Sequence, residues 1–272
     1  PLAASPTSPT PGLWLTVDLT PRSVSPGSQP VRAVILAPQN TTGGNIVNNT
    51  EIRSVLSLED VEVANGEGNL GALAYKYLKM KHPNCLVDLV SPEPIVGVVA
   101  TGSLQVSGTI TAPYTVRITI SGRVIDVPWN VGETAAQLHA KAVTYIGRYK
   151  RDLYCTASVG VTPDRILLTA NAAGPAGNDV QVSFSLLDGA GGTVAATVAT
   201  LTGGTTEPDF TTALQTIEGR EYDLIGLCLS NADAVSTSGN FSRADTHVTG
   251  LDTGQQAKLQ QVTRRHRAFA PD

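Results

Sequence analysis

Residues 70–90 read LGALAYKYLKMKHPNCLVDLV, a pattern that predicts a helix followed by a strand. Its first part predicts a helix over 70–81, which Pro83 ends because proline cannot continue a helix. Residues 85–90 are apolar except for Asp88, the composition of a buried strand. Upstream, residues 31–37 predict another strand. The order strand, helix, strand predicts a parallel sheet covered by a helix.

The alternation of predicted helices and buried strands resumes after residue 204. Residues 210–219 predict a short helix, and residues 222–229 read YDLIGLCL, a buried strand. Residues 51–58 form a shorter segment of mixed apolar and charged side chains, and residues 253–269 predict a final helix. Because nothing after that helix would complete a doubly wound sheet, we expect the core domain to be incomplete at its C-terminal end.

Between these two parts, the composition shifts to Gly and Thr. A helix is predicted to start near Glu133 and Thr134 and to run through Leu138, Ala142 and Ile146. The predicted strands around it cover 103–110, 114–121, 123–128, 156–161, 165–171 and 179–187. The Gly-rich flanks at Gly97 and at 203–204 are expected to be flexible hinges.

The predicted fold is therefore an α/β core domain with a mixed sheet, interrupted by an inserted β-rich α+β domain and preceded by an extended N-terminal arm. We assign residues 1–24 to the arm, residues 25–97 plus 205–272 to the discontinuous core domain, and residues 98–204 to the inserted domain.

The arm begins with a Pro-rich stretch, residues 1–12, that cannot fold alone. A predicted strand follows, formed by Leu13, Trp14, Leu15, Thr16, Val17, Asp18 and Leu19. Its four residues at odd positions are apolar and share one face. An isolated strand does not recover its ordering entropy, so it needs a sheet edge. That edge belongs either to a neighbouring subunit or to the same chain. The prolines on both sides favour a neighbouring subunit, where the residues of this strand would form an intersubunit contact.

Composition excludes several classes of function. With 272 residues and 41% hydrophobic side chains, the chain can bury a sizeable core, and its length predicts two domains. A formal net charge of −4 gives no electrostatic reason to expect nucleic-acid binding. No stretch approaches the ~20 apolar residues of a membrane span.

Cys85, Cys155 and Cys228 lie in apolar surroundings, and we expect reduced, buried thiols. No signal region follows Pro1, so the sequence does not support secretion.

The turn Gly66-Glu67-Gly68-Asn69-Leu70-Gly71 fits the G-x-G-x-x-G pattern of dinucleotide sites, with Asp88 downstream. Three features count against a nucleotide. Residues 58–65 are too acidic for a central strand, Glu67 would face a pyrophosphate, and Asp88 lies within its strand instead of at the carboxyl end. A dinucleotide-binding enzyme that uses Gly66 to Gly71 nevertheless remains an alternative.

No catalytic constellation is evident in the rest of the sequence. The four histidines, His82, His139, His247 and His266, lack metal-ligand spacing. The acidic cluster over 59–62 is typical of a solvated helix start. We therefore predict neither an enzyme nor a resident metal or cofactor. The Gly/Thr-rich middle leaves a second alternative, a secreted adhesive or carbohydrate-binding module.

Four motifs resemble those of the tail sheath proteins of contractile phage tails and related injection machines, especially the Mu-like branch. They are the Pro11-Gly12-Leu13-Trp14-Leu15 opening, the turn and helix from Gly66-Glu67-Gly68 to His82-Pro83-Asn84-Cys85, the Asn171-Ala172-Ala173-Gly174-Pro175-Ala176-Gly177-Asn178-Asp179-Val180 segment, and Glu221-Tyr222-Asp223-Leu224-Ile225. The opening departs from the family's Pro-Gly-Val-Tyr-Val, and Asn69 replaces the family's usual Ser. The likeness spans residues 11–230.

The resemblance implies a structural sheath subunit without cofactors. Its partners would be copies of itself in hexameric rings stacked in a helical sheath, the tail tube protein, and the baseplate and tail terminator proteins. Its location would be the virion, after assembly in the host bacterial cytoplasm. The strand over 13–19 would be donated to a neighbour. Family members continue to a C-terminal strand region that receives such arms, and no segment after Phe269 could supply it here.

Overall fold

A computed structural model describes residues 13–14, 30–94, 97–161, 164–187, 192–217, 220 and 222–230. The described residues form two compact units. The core unit comprises the described residues within 13–66, 70–94 and 208–230, and the β-rich unit comprises 67–69 and the described residues within 97–207.

The strands have the following bounds: β1 (Leu13–Trp14), β2 (Arg32–Leu36), β3 (Glu51–Val55), β4 (Leu86–Val90), β5 (Val99–Ile110), β6 (Tyr114–Ile120), β7 (Arg123–Trp129), β8 (Cys155–Val161), β9 (Asp164–Ala173), β10 (Val182–Leu187), β11 (Gly192–Thr202) and β12 (Leu224–Cys228). The helices are α1 (Leu58–Asn65), α2 (Leu70–Lys81), α3 (Ala135–Gly147), α4 (Thr211–Thr216) and a 3₁₀ helix over Pro175–Asp179.

The core unit contains a five-stranded sheet in the order β1-β12-β2-β4-β3. Strands β12, β2 and β4 run parallel, and β1 and β3 are antiparallel at the two edges. Residues 33–36 of β2 are fully buried, so both faces of this strand are covered. Val34 and Leu36 pack in one cluster with Phe210 and Leu214 at α4, and α2 contacts β2 and β12. The predicted mixed α/β class and the parallel pairing are confirmed.

The two helices between β3 and β4 begin and end as their sequences dictate. Ser57 and Asp60 form a reciprocal capping box at the start of α1, with Asp60 N donating to Ser57 Oγ at 3.1 Å and Ser57 N donating to Asp60 Oδ2 at 2.9 Å. Gly66, with φ of +99°, ends this helix. The acidic cluster is thus a helix start, although Glu62 is buried and not solvated as expected. Helix α2 has the predicted bounds.

The β-rich unit contains two antiparallel sheets, in the orders β10-β6-β7 and β11-β5-β9-β8. Helix α3 contacts β7 of the first sheet and β5, β8 and β9 of the second. Its buried residues Leu138, Ala142 and Ile146 recur at helical spacing, so one face of α3 supplies the core. The helix begins at Thr134, which forms a capping box with Gln137.

Most predicted strands of this unit match observed strands within a few residues, and β11 is the exception. No strand was predicted over 192–202, because most side chains of β11 are exposed and its Ala, Thr and Val residues give no alternating pattern. The predicted strand at 179–187 begins later, at Val182, because a 3₁₀ helix occupies 175–179.

The predicted hinge at 203–204 is restrained by hydrogen bonds at Gly204. The Asn178 side chain forms two hydrogen bonds of 2.9 Å with the backbone of Gly204. A Cβ atom at Gly204 would approach the Gly174 carbonyl oxygen to 2.3 Å, so only glycine fits. The predicted helix over 253–269 lies outside the described residues.

Candidate functional site

The candidate site is the edge of the core sheet at β12, where part of the predicted arm lies. Strand β1 pairs antiparallel with β12 of the same chain, with Leu13 opposite Cys228 and Trp14 opposite Leu227. The sequence left open pairing within the chain and pairing with a neighbouring subunit, and it favoured the neighbouring subunit; residues 13–14 pair within the chain. The other predicted arm residues lie outside the described part of the chain: Leu15, Thr16, Val17, Asp18 and Leu19.

Strand β12 is firmly seated on its inner side. It runs parallel to β2 from Leu224, opposite Ala33, to Leu227, opposite Leu36. Leu227 packs in the apolar cluster around α4. Burial raises the pKa of the Cys228 thiol to about 12, so this thiol stays neutral at physiological pH. The edge that meets β1 therefore belongs to a strand fixed by the core.

The opposite edge of the sheet is irregular. The register of β3 against β4 shifts between Ile52 and Val55, which marks a β-bulge. Ser54 adopts a positive φ of 51°, and its amide donates to Asp88 Oδ1 at 2.7 Å. Bulges and charged side chains are common devices that prevent strand addition at a sheet edge. Within the described residues, β12 thus provides the edge of this sheet suited to receiving a strand.

The segment that leads into β12 is anchored by a polar cluster, the Tyr222 cluster, formed by Tyr222, Glu51, Asp88, Arg220 and Arg32. The Tyr222 hydroxyl contacts Glu51 Oε1 and lies 2.9 Å from Asp88 Oδ2. Arg220 pairs with Glu51, and Arg32 Nη2 lies 3.4 Å from Asp88 Oδ2. Burial raises the pKa of Tyr222, and its hydrogen bonds to the two carboxylates raise it further.

Sequence reasoning missed this cluster because its members are far apart along the chain. Glu51 and Tyr222 are separated by 171 residues. The available signal was Asp88, a carboxylate inside an otherwise apolar strand, which must find partners when it is buried. Its oxygens serve the bulge amide of Ser54 and the Tyr222 hydroxyl, so Asp88 has a structural role.

The glycine turn at 66–71 is filled by protein atoms at Gly68. A Cβ atom built on Gly68 would lie 2.3 Å from the Lys150 carbonyl oxygen and 2.4 Å from that of Leu153. Asn171 Nδ2 donates to the Gly68 carbonyl at 3.1 Å. Glu67 pairs with Lys150 at 2.5 Å, and this hydrogen bond lowers the pKa of Glu67. The backbone that would cradle a phosphate is thus packed against the β-rich unit's own residues at this glycine.

Other candidate chemistry is accounted for by packing. Among the described residues, no group of three or more His, Cys, Asp or Glu side chains is arranged to hold a metal ion. His139 is buried, and its Nε2 accepts a hydrogen bond of 3.0 Å from Val106 N. The Nδ1 atom lies 3.2 Å from Asp164 Oδ1. Both contacts are with neighbouring protein groups, so this histidine has a structural role. In the part of the chain that the structure describes, no helix is both long and apolar enough to cross a bilayer.

No protein-family model matches the chain, and no curated protein matches it. Among solved structures, the chain is similar to the D1-D2-D3 domains of the flagellar cap protein FliD from Escherichia coli, with 14% sequence identity and a TM-score of 0.24. The match covers 62% of this chain and 62% of the flagellar cap chain. A similarity at this level assigns neither fold nor function.

Proposed function

We propose that the chain is a structural tail sheath subunit that polymerises around a tail tube. In this proposal it contracts by rigid-body rearrangement and drives the tube through a cell envelope. The observation that supports it best is the β12 edge, a regular strand that accepts two residues of the predicted arm, here from the same chain. The sequence resemblance described above supplies the class of assembly.

Strand exchange at this edge would link the subunits. The arm strand of one copy would take the place of β1 on the β12 edge of the next copy and keep the same register. A handful of main-chain hydrogen bonds at ~1 kcal/mol net each, plus buried leucines at ~1.5–3 kcal/mol each, would make such a link worthwhile. In the described residues, the bulged β3 edge of the same sheet offers no regular alternative.

The same assembly implies a position for the β-rich unit and a set of partners. The β-rich unit would be the inserted domain of the discontinuous core and would lie outermost on the sheath. The partners would be further copies in stacked hexameric rings, the tube protein, and the baseplate and terminator proteins, in a virion assembled in the bacterial cytoplasm. No nucleotide is needed, because contraction releases free energy stored at assembly. The filled space beside Gly68 gives the dinucleotide alternative no support.

Deletion of residues 1–20 tests the proposal. We expect the remaining chain to stay folded, because the described sheet of the core unit retains β12, β2, β4 and β3. We also expect the deletion to abolish polymerisation, because the donor strand is lost. Negative-stain microscopy of the full-length gene product and of the deletion variant, with circular dichroism as the folding control, provides the measurement. Hollow cylinders of normal appearance from the deletion variant would refute the role of the arm.

A further inference from the structure

The four-stranded sheet of the β-rich unit has two edges that lack charged residues and prolines, which are two of the usual protections against strand addition. Strand β11 forms one edge and β8 forms the other. Neither the eleven residues of β11 nor the seven of β8 include a charged residue or a proline. By contrast, β7, an edge of the neighbouring sheet, carries Arg123, Asp126 and Pro128. Uncharged edge strands with a regular stretch are templates for pairing with another chain. Strand β11 pairs regularly with β5 from Gly192 to Ala199, and its register shifts only after Ala199.

Both edge strands also leave their outer backbone groups available. Among the described residues, the backbones of β11 and β8 pair only with β5 and β9 respectively. Strand β10 precedes β11 in the chain and contacts it, but belongs to the other sheet. Each edge therefore presents a row of amide and carbonyl groups to solvent or to a partner strand.

One row of paired side chains across the sheet indicates which residues of β8 and β11 would lie side by side if the two edges paired. Val198 of β11 is paired with Leu104, Leu104 with Ile166, and Ile166 with Val159 of β8. The two inner residues are 1% exposed, whereas Val198 is 36% and Val159 is 41% exposed. The row is apolar throughout and ends in an exposed valine at each edge.

Strand direction makes the two edges complementary. Neighbouring strands in this sheet are all antiparallel, so three successive reversals place β8 antiparallel to β11. A second copy with its sheet in the same orientation would therefore bring its β11 antiparallel to β8 of the first. The alternation of strand directions would continue across the joint without interruption.

We infer that this sheet joins one copy of the chain to the next, with the β8 edge of one copy paired to the β11 edge of its neighbour and Val159 beside Val198. Such a head-to-tail contact uses different surfaces on the two copies, so it closes into a ring or extends as a helix. The inference rests on the proposed function only in that copies assemble side by side in a ring or helix. It adds a second link, separate from the arm.

The joint is short, because β8 has only seven residues. The surface area that such a short joint buries is well below the about 1,600 Å² of a standard interface. We therefore expect weak association, which a covalent trap detects better than a sedimentation measurement. Cysteine substitution provides that trap, because the chain's own thiols at Cys85, Cys155 and Cys228 are buried. Directly paired residues of neighbouring antiparallel strands have Cα atoms about 4.5–5.5 Å apart, a separation that a disulfide spans.

The experiment uses full-length chains that carry Val159→Cys or Val198→Cys, one of them with a tag that changes its size. Each is oxidised alone and in mixture, and the products are separated on a non-reducing gel. We expect a heterodimer band in the mixture only, and a ladder of multimers from a chain with both substitutions. Val124→Cys is the matched control, because Val124 is an exposed strand valine in β7, 46% exposed, away from the joint.

Cross-linking no stronger than that of the Val124→Cys control would overturn the joint. So would a homodimer from either single variant, because it would indicate a two-fold contact between like edges. The proposed function fails in a different way. A ladder without hollow cylinders would support the joint and contradict the sheath, whereas cylinders without a ladder would leave the sheath proposal intact and remove the joint.

Discussion

At the scale of single residues, the Tyr222 cluster explains how a sheet of apolar strands tolerates buried carboxylates. The side chain of Asp88 is 3% exposed, and that of Glu51 is 5% exposed. Unpaired, such groups would cost several kcal/mol each. Tyr222 touches both carboxylates, and it immediately precedes Asp223 and β12. The cluster therefore fixes the start of the strand that forms the candidate site.

We predict that Tyr222→Phe lowers the free energy of unfolding by about 1–3 kcal/mol, because the two buried carboxylates lose the one hydroxyl proton that lies between them. Urea denaturation followed by circular dichroism measures the change. Tyr77→Phe is the matched control, because Tyr77 is exposed and its ring contact with Lys81 would survive the substitution. Equal stability of the two variants would show that the cluster does not anchor this segment.

The buried thiol of Cys228 predicts a dependence of stability on pH. Burial raises the pKa of this thiol from 9.0 to about 12, so the unfolded chain loses the proton before the folded chain does. The contribution of the thiol to stability is therefore complete below pH 9 and is lost as the pH rises towards 12, with a slope of at most about 1.4 kcal/mol per pH unit. Urea denaturation at several pH values should show a flatter alkaline decline for Cys228→Ala than for the wild-type chain.

Leu227→Ala is the control for this pH series, because it removes a neighbouring buried side chain without a titrating group. It should lower stability by a similar amount at each pH. If the profile of Cys228→Ala runs parallel to that of the wild-type chain, the thiol does not titrate as its burial predicts.

At the scale of elements, the structure shows which local sequence patterns suffice to predict a helix or a strand. The sequence predicted α2 to the residue, because Pro83 and the apolar segment after it leave little choice of boundaries. It did not predict β11, whose exposed Ala and Thr residues lack alternation, or the bulge in β3, which depends on Asp88 from another strand. Patterns within one segment are readable from the sequence, whereas features created by pairing between distant segments are not.

The capping box of α3 yields a prediction at this scale. Thr134→Ala removes the side-chain acceptor for Gln137 N, one of the free amides at the start of the helix. It should cost about 1 kcal/mol. Thr144→Ala is the matched control in the same helix, because its hydroxyl bonds only to the Ala140 carbonyl within the helix. Thermal unfolding should show a lower melting temperature for Thr134→Ala alone; equal losses in both variants would contradict the role of the cap.

At the scale of the whole molecule, we propose a subunit that assembles by strand pairing. The surfaces at which we propose that another strand adds are the β12 edge, which would receive the predicted arm, and the uncharged edges of the β-rich unit. A contractile assembly that stores free energy needs total contacts per subunit well above about 1,600 Å², so several such surfaces are expected. The sequence predicts the arm from its prolines and its alternating apolar residues. It could not indicate which edge receives the arm, because that edge exists only after β12 has joined the sheet.

The most direct measurement of strand exchange uses the pairing of residue 13 with Cys228. A Leu13→Cys chain is assembled in an oxidising buffer, so that the new thiol meets Cys228 while the strand pairs, and the products are separated on a non-reducing gel. Trp14→Cys is the control, because position 14 pairs with Leu227 and alternates to the other face of the strand. Exchange predicts disulfide-linked multimers from Leu13→Cys and none from Trp14→Cys. A disulfide confined to single chains in the assembled particle would contradict the account.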